Sequence, residues 1–180
     1  MAIYFGDGSG GGDTVEGRII QIQRITKTDT FSSNSDSFTD LTGMSVNITP
    51  HHSGNKILIV ASICYGQSAD SYASGRLVRY RADVGTVGIG VAPSAGYRTL
   101  WGFSLQGELY NGNNKLFSQT YTYLDEPGTT VQLTYKLQGR TYSGDSRSFC
   151  INRTLGDSSS SYHHRGESRI MALEVAAYWN

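Results

Sequence analysis

Apolar and polar side chains alternate along most of the chain after residue 15, which is the pattern of half-buried β-strands. In residues 131–138, valine, leucine and tyrosine alternate with glutamine, threonine and lysine. A period of two places successive side chains on opposite faces of a sheet, one buried and one solvated. The pattern and its turn residues predict about nine strands, at residues 18–25, 44–48, 57–64, 77–80, 101 to about 110, 117–123, 131–137, 149–151 and 171–175.

Two segments indicate how these strands are arranged. Residues 57–64 are apolar on both faces, which places this strand in the centre of a sheet. The segment at residues 125–128 (Asp-Glu-Pro-Gly) has the composition of a turn, so the strands on either side of it are predicted to form a hairpin.

The pattern also indicates the class of fold. No segment shows the repeat of an amphipathic helix, and many short strands at regular spacing are typical of β-sandwiches and barrels. We therefore predict that residues 15–180 form an all-β domain, an antiparallel β-sandwich of the jelly-roll type.

Residues 1–14, called the N-terminal arm below, differ from this body. They contain five glycines and too few large side chains to form a core. Such a segment is a flexible coil unless something binds it. We expect Ile3, Tyr4 and Phe5 to dock the arm onto a partner protein; the alternative is that the body of the chain itself binds the arm.

Charge and hydropathy exclude several classes of protein. Charged residues make up 17% of the chain, and 15 basic residues balance 15 acidic ones. Binding to nucleic acid or to an anionic membrane surface needs an excess of positive charge that this sequence lacks. No apolar run approaches the roughly 20 residues that span a bilayer, and the N-terminus lacks the basic and apolar segments of a signal peptide. We expect neither a nucleic-acid partner nor membrane insertion.

The two cysteines, Cys64 and Cys150, do not form the framework of a disulfide-rich domain. Cys64 lies within an apolar strand, which favours a buried, reduced thiol. Synthesis in a reducing cytoplasm fits this interpretation. A bridge between Cys64 and Cys150 is the alternative.

Motifs for catalysis are missing from the sequence. It has no Gly-Lys-Ser/Thr phosphate loop and no Gly-x-Ser-x-Gly nucleophile elbow. Asp125 and Glu126 adjoin Pro127 and Gly128, so we interpret them as solvated turn residues rather than as the acid and base of a glycosidase. A hydrolase of surface polysaccharide is the enzymatic alternative. We predict a protein that is not an enzyme and needs no cofactor.

The four histidines occur as two adjacent pairs, at residues 51–52 and 163–164. Adjacent residues of a strand point to opposite faces, so one pair is a poor metal site. We interpret all four as solvated loop side chains and predict no metal. A metal held by one histidine from each subunit on a trimer axis is the alternative.

Two further groups are candidates for interaction. Arg79 and Arg81 share one face of a predicted strand and are assigned to a subunit interface, where arginine pairs with carboxylates and stacks on tyrosine; a solvated edge strand is the alternative. Tyrosine in an uncharged loop is typical of an adhesion site. Five tyrosines in Gly/Ser/Asn-rich segments are therefore candidate receptor-facing residues: Tyr72, Tyr97, Tyr110, Tyr142 and Tyr162.

A series of segments between residues 17 and 176 carries a resemblance to a known family: residues 17–21, 27–31, 38–50, 55–59, 76–79, 124–130, 151–154 and 168–175. In this series the chain resembles small β-rich virion proteins of tailed bacteriophages, notably those of marine bacteria and cyanobacteria. The segments are turns and core strands, so they bear on the fold more than on a ligand.

The resemblance implies a structural protein of the virion, a head or tail fibre or decoration component, made in the host cytoplasm. It also implies a homotrimer, and it gives the N-terminal arm a partner among the capsid, portal or tail proteins. The alternative is a receptor-binding fibre-tip module that recognises a glycan or protein of the host surface. Neither the arm nor the last residues of the chain belong to the resemblance.

Overall fold

The computed structural model describes residues 17–68, 71–94, 96–98, 100–107, 114–142 and 147–177. The N-terminal arm, with Ile3, Tyr4 and Phe5, lies outside the described residues, and so does Tyr110. The described part contains eleven strands: β1 (Ile19–Lys27), β2 (Phe31–Ser33), β3 (Thr39–Ile48), β4 (Lys56–Gln67), β5 (Ser74–Arg81), β6 (Gly85–Ile89), β7 (Phe103–Ser104), β8 (Phe117–Asp125), β9 (Leu133–Arg140), β10 (Phe149–Ile151) and β11 (Ser168–Val175).

The strands form two antiparallel sheets. Sheet A has the order β1-β11-β4-β10-β2, with β8 also paired to β4, and sheet B has the order β3-β9-β5-β6, with β7 also paired to β5. In sheet A, β11 pairs with residues 56–62 of β4, whereas β10 pairs with residues 65–67. Because β10 and β11 thus follow each other along one edge of β4, they act as a single interrupted strand, and β1 and β2 do the same beside them.

This strand order is that of a jelly roll. We count β1/β2 and β10/β11 each as one interrupted strand and leave out the short β7, which gives eight strands in chain order. Sheet A then has the order first-eighth-third-sixth, and sheet B has the order second-seventh-fourth-fifth. Two Greek keys that interleave in this way define the jelly roll. The prediction of an all-β antiparallel sandwich of this type is confirmed.

The core lies between the two sheets and is formed by alternate side chains of the central strands. Ile57, Ile59 and Ile63 of β4 face Tyr135 and Leu137 of β9, and all five are completely buried. The central position predicted for residues 57–64 is confirmed, because β4 pairs with β11 and β10 on one side and with β8 on the other. None of the described segments forms a helix long and apolar enough to cross a bilayer.

Each of the nine predicted strands has a counterpart in the structure, but the one that starts at residue 101 corresponds, within the described residues, only to the two-residue β7. Two observed strands were not predicted. These are β2, which is only three residues long, and β6, whose sequence Gly-Thr-Val-Gly-Ile has little alternation. β6 completes the edge of sheet B by pairing with β5. Short or glycine-rich edge strands carry a weak periodic signal because they bury few side chains.

The predicted hairpin around residues 125–128 is wrong. β8 pairs with β4 in sheet A, whereas β9 pairs with β3 and β5 in sheet B, so residues 126–132 cross from one sheet to the other. Alternation shows that each strand has one buried face, but two strands that face each other across a core alternate just as two neighbours in one sheet do. The turn residues therefore did not distinguish the two arrangements.

Candidate functional site

The outer face of sheet B carries a network of polar side chains that bind one another. The carboxylate of Asp40 accepts hydrogen bonds from Lys136 (2.9 Å) and Gln138 (2.7 Å). Arg76 Nε in turn donates to Gln138 Oε1 (2.8 Å). Burial alone would raise the pKa of Asp40, but these hydrogen bonds outweigh it and hold the pKa below its usual value. The network covers part of the outer face of sheet B.

The outer face of sheet A is apolar instead. Residues directly opposite each other in antiparallel strands share a face, and one cross-strand row runs from Ile22 to Leu173, then to Leu58 and then to Leu124. Ile22 is 54% exposed and Leu124 is 47% exposed. Met171 and Val60 form part of the next row. These six side chains are called the apolar face of sheet A below.

Polar side chains border this apolar face. The row that contains Met171 and Val60 ends in Arg24 on β1 and in Thr122 on β8. An apolar centre with a polar rim is the usual anatomy of a protein–protein interface, and contiguous exposed apolar patches mark interaction sites. This face has little signal in the sequence, because β4 and β11 are apolar on both sides and alternation does not tell which side is buried.

The predicted interface arginines lie elsewhere, on sheet B. One guanidinium nitrogen of Arg79, Nη1, donates to both carboxylate oxygens of Asp125 at 2.9 and 2.7 Å. Arg81 donates from Nε to Asp83 Oδ1 at 2.7 Å. Both arginines therefore have partners within the chain, and their role in a subunit interface stays a prediction.

Asp125 corrects the interpretation of the turn. The sequence indicated a solvated carboxylate, but Asp125 is buried at the end of β8 and also accepts a hydrogen bond from the Tyr135 hydroxyl at 2.7 Å. Because Arg79 and Tyr135 belong to sheet B, this contact joins the two sheets. Glu126 is exposed as predicted and forms an ion pair with Lys56 at 2.7 Å.

A second buried carboxylate, Glu174, lies on the inner face of β11. Its oxygens accept hydrogen bonds from Asn55 Nδ2 (2.6 Å), Gln21 Nε2 (2.5 Å) and the His51 backbone nitrogen (2.7 Å), and His51 Nδ1 lies 2.8 Å away. Burial alone would raise the pKa of Glu174, but these hydrogen bonds outweigh it and lower the pKa to about 2. The group is an ionised structural carboxylate.

The histidines and cysteines form no metal site within the described residues. His51 contacts Glu174, whereas His163 is bound by Ser158 and by Asn114 Oδ1 (3.0 Å). Among the described residues there is no group of three or more histidine, cysteine and acidic side chains that could hold an ion. Cys64 and Cys150 are both free thiols, and burial raises the pKa of each.

A cleft at one end of the sandwich brings together two of the predicted tyrosines. The rings of Tyr72 and Tyr142 meet edge to face with their centroids 6.0 Å apart. The guanidinium of Arg147 lies 5.7 Å from the centroid of Tyr72 and 5.3 Å from that of Tyr142. Trp101, Arg98 and Arg140 also line the cleft, whose volume is about 700 Å³.

Backbone hydrogen bonds hold the walls of the cleft together. The Tyr142 nitrogen donates to the Ser71 carbonyl (3.0 Å), and the Gly102 nitrogen donates to the Gly75 carbonyl (2.9 Å). Phe103 packs directly against Gly75, where an added Cβ would lie 2.1 Å from the ring. Tyr72 has a φ of 44°, a left-handed conformation that is strained for a tyrosine. These hydrogen bonds thus join the segments that carry the exposed rings to one another and to β5.

Tyr97 and Tyr162 are not among the residues that line the cleft. Tyr97 is fully exposed on the loop that precedes Arg98, and Tyr162 is exposed in a separate loop beside His163. Sequence reasoning missed Trp101 and the three arginines of the cleft. Arg140 and Arg147 lie on either side of Tyr142 in the sequence. This was the available signal for the arginines, since a cation close to an aromatic residue often stacks on it.

Comparisons with known proteins show likeness of overall shape only. No family model and no curated protein matches the chain. An Eiger TNF from S. frugiperda is 16% identical over 91% of this chain and 97% of its own, with a TM-score of 0.48. The Gx strain of infectious bursal disease virus gives 13% identity over 98% of this chain, with a TM-score of 0.43. A VP2 subviral particle of that virus gives 14% identity over 99% of this chain, with a TM-score of 0.39.

The chain spans 42% of the length of both viral chains. With scores below 0.5 these likenesses carry no functional argument, and the fold assignment rests on the strand order. The resemblance to tailed-phage virion proteins stays a prediction.

Proposed function

We propose that this chain is a structural protein of a tailed-phage virion, a head or tail fibre or decoration component that assembles as a homotrimer. The observation that carries the proposal is the apolar face of sheet A, with Ile22 and Leu124 about half exposed at its two edges. A protein made in many copies can cover such a face by packing it around a rotation axis against other copies, because a cyclic arrangement that closes repeats one contact between two surfaces of neighbouring subunits. Three subunits rather than two follow from the family resemblance.

The contrast between the two sheets favours this face over the rest of the surface. The outer side of sheet B is occupied by the network of Asp40, Gln138 and Lys136, whose polar groups are costly to bury without new partners. The side chains on sheet A, by contrast, contribute to stability when they are removed from water, at about 25 cal/mol per Å². Association through sheet A therefore needs no compensating polar contacts at its centre.

We predict that Ile22→Glu combined with Leu124→Glu converts the trimer into a folded monomer at micromolar concentration. The variant places two charges in the apolar interface, which should weaken association by more than about a hundredfold. Both side chains are about half exposed, so the fold of the subunit tolerates the change. Sedimentation velocity gives the mass, and circular dichroism reports folding.

Val84→Glu is the matched control, because Val84 is equally exposed but lies in the β5–β6 turn, away from sheet A. This variant should sediment like the wild type. A wild-type chain that sediments as a stable monomer at micromolar concentration rejects the proposal. A stable dimer that the double variant dissociates keeps the interface but rejects the trimer.

The N-terminal arm is proposed to attach the trimer to a capsid, portal or tail protein through Ile3, Tyr4 and Phe5. We predict that a variant lacking residues 1–12 stays folded and trimeric but no longer joins virions, because the apolar anchor is lost. Particle incorporation is measured by immunoblotting of purified virions, with Val84→Glu again as the folded control. Normal incorporation of the truncated chain contradicts the role of the arm.

Recognition of the host surface is the second candidate function, and the cleft favours it. Tyr72, Trp101 and Tyr142 present partly exposed aromatic rings at one end of the sandwich, where the loops between strands meet. Such rings are effective binding surfaces because they have few rotatable bonds and a large contact area. A fibre module can carry both functions, with sheet A used for assembly and the cleft for binding.

A further inference from the structure

We propose that the cleft lined by Tyr72, Trp101, Tyr142 and three arginines binds an anionic sugar residue, one that carries a carboxylate or a sulfate ester. The inference rests on the second candidate function, recognition of the host surface, and gives its ligand a chemical class. It requires nothing of the assembly interface on sheet A.

The charge of the cleft indicates an anion. The described lining residues include Arg98, Arg140 and Arg147 and no aspartate or glutamate. The whole chain has a formal net charge of zero, so three arginines among the described lining residues are more than its average composition would place there. A guanidinium presents paired donors that match the two oxygens of a carboxylate or sulfate group.

The aromatic rings indicate that the anion is attached to a sugar. Trp101 is 44% exposed, Tyr72 is 52% exposed and Tyr142 is 57% exposed. Sugar rings have an apolar C–H face that packs on aromatic rings, while a tyrosine hydroxyl can bond to sugar hydroxyls. A simple anion such as sulfate would make no use of these three rings.

The position of Arg147 connects the two features. Its guanidinium lies over both tyrosine rings, within the distance at which a cation is attracted to an aromatic face. The charge is therefore held beside the stacking surface. A sugar that binds beside these rings and Trp101 would place an acidic substituent within reach of this guanidinium.

The shape of the cleft fits such a ligand. Its volume of about 700 Å³ lies within the range of small-molecule sites. The backbone hydrogen bonds from Tyr142 to Ser71 and from Gly102 to Gly75 join the segments that form its walls. A nucleic acid also combines bases that stack with anionic groups, but it needs a basic surface along several phosphates, which a chain of zero net charge does not offer.

Binding of defined oligosaccharides to the full-length chain tests the inference. The probes are a galacturonic acid tetramer, a sulfated carrageenan tetrasaccharide, neutral maltotetraose and a tetraglutamate peptide, each titrated calorimetrically at low and high salt. We expect one or both anionic sugars to bind at least about tenfold more tightly than maltotetraose and tetraglutamate. The affinity should fall as salt is raised. The two anionic probes distinguish the carboxylate from the sulfate ester.

Two variants assign the binding to the cleft. Trp101→Ala and Arg147→Gln should each weaken binding by about tenfold or more. Arg165→Gln, at an exposed guanidinium in the segment before β11 and outside the described cleft lining, is the matched control and should bind like the wild type. Thermal unfolding monitored by circular dichroism verifies that each variant is folded.

The possible results separate this inference from the function on which it rests. If the chain blocks phage adsorption to host cells but neither anionic sugar binds at millimolar concentration, recognition stands and the anionic-sugar ligand is rejected. If maltotetraose binds as tightly as the anionic sugars, the role of the arginines is rejected. If tetraglutamate binds as tightly as they do, the requirement for a sugar is rejected. If the chain neither blocks adsorption nor binds any probe, both recognition and its ligand are rejected.

Discussion

Glu174→Gln is expected to lower the free energy of unfolding at pH 7 by about 3 kcal/mol. The side chain of Glu174 has no exposed surface, and its two oxygens are surrounded by the donors of Gln21, His51 and Asn55. Glutamine replaces one acceptor oxygen with an NH₂ group that faces these donors, and it removes the charge that strengthens each bond. Urea unfolding at fixed protein concentration measures the difference.

The pH dependence of this difference follows from the depressed pKa. The pKa of Glu174 falls from an ordinary 4.5 to about 2 in the folded chain. A carboxyl group whose pKa is lowered by folding stabilises the folded state fully above its unfolded pKa, and this contribution is lost as the pH falls through the folded pKa. The stability gap between wild type and variant should therefore be largest above pH 4.5 and should shrink towards pH 2.

Glu126→Gln is the matched control for this measurement. Glu126 is exposed and has a single ion pair with Lys56, and exposed pairs contribute about 0 to 1 kcal/mol. Its loss should leave the unfolding curve nearly unchanged at every pH. If Glu174→Gln is equally harmless, or if the gap does not change between pH 5 and pH 2, then the cluster around Glu174 does not hold an ionised carboxylate.

Glu174 also shows why alternation predicted the strands but not their orientation. In β11 the pattern drew attention to Met171, Leu173 and Val175, yet the inner face is formed by Ser168, Ile170, Ala172 and Glu174. Both faces are largely apolar, so the pattern is consistent with either orientation. Only the positions of Asn55 and Gln21 in neighbouring segments make the inner face suitable for a carboxylate, and no local pattern reveals them.

The candidate site was predictable to a similar extent. Composition indicated that tyrosines in polar loops are binding residues, and Tyr72 and Tyr142 do meet in one cleft. Trp101 was assigned to a strand, and Arg147 received no role. Which loops meet at one end of a sandwich depends on which sheet each strand joins, and this is where the predicted hairpin was wrong. Sequence periodicity predicted the strands, but it did not predict the contacts between the two sheets.

Asp125→Ala is expected to cost about 3 to 5 kcal/mol, because it leaves a charged partner without its counter-ion in a buried site. Asp125 at the end of β8 binds Arg79 and Tyr135 of the opposite sheet. Burial, followed by the hydrogen bond to Asp125, raises the pKa of Tyr135 well above its usual value, so the tyrosine remains a donor throughout the accessible pH range. Urea unfolding again measures the loss.

Two further variants separate the buried contact from a general effect of charge. Asp83→Ala removes the exposed partner of Arg81 and should cost less than about 1 kcal/mol. Arg79→Leu combined with Asp125→Leu removes both charges, and it should recover part of the stability that Asp125→Ala loses, because no unpaired charge remains between the sheets. A loss below about 1 kcal/mol for Asp125→Ala would mean that Asp125 is the solvated turn residue indicated by its neighbours Pro127 and Gly128.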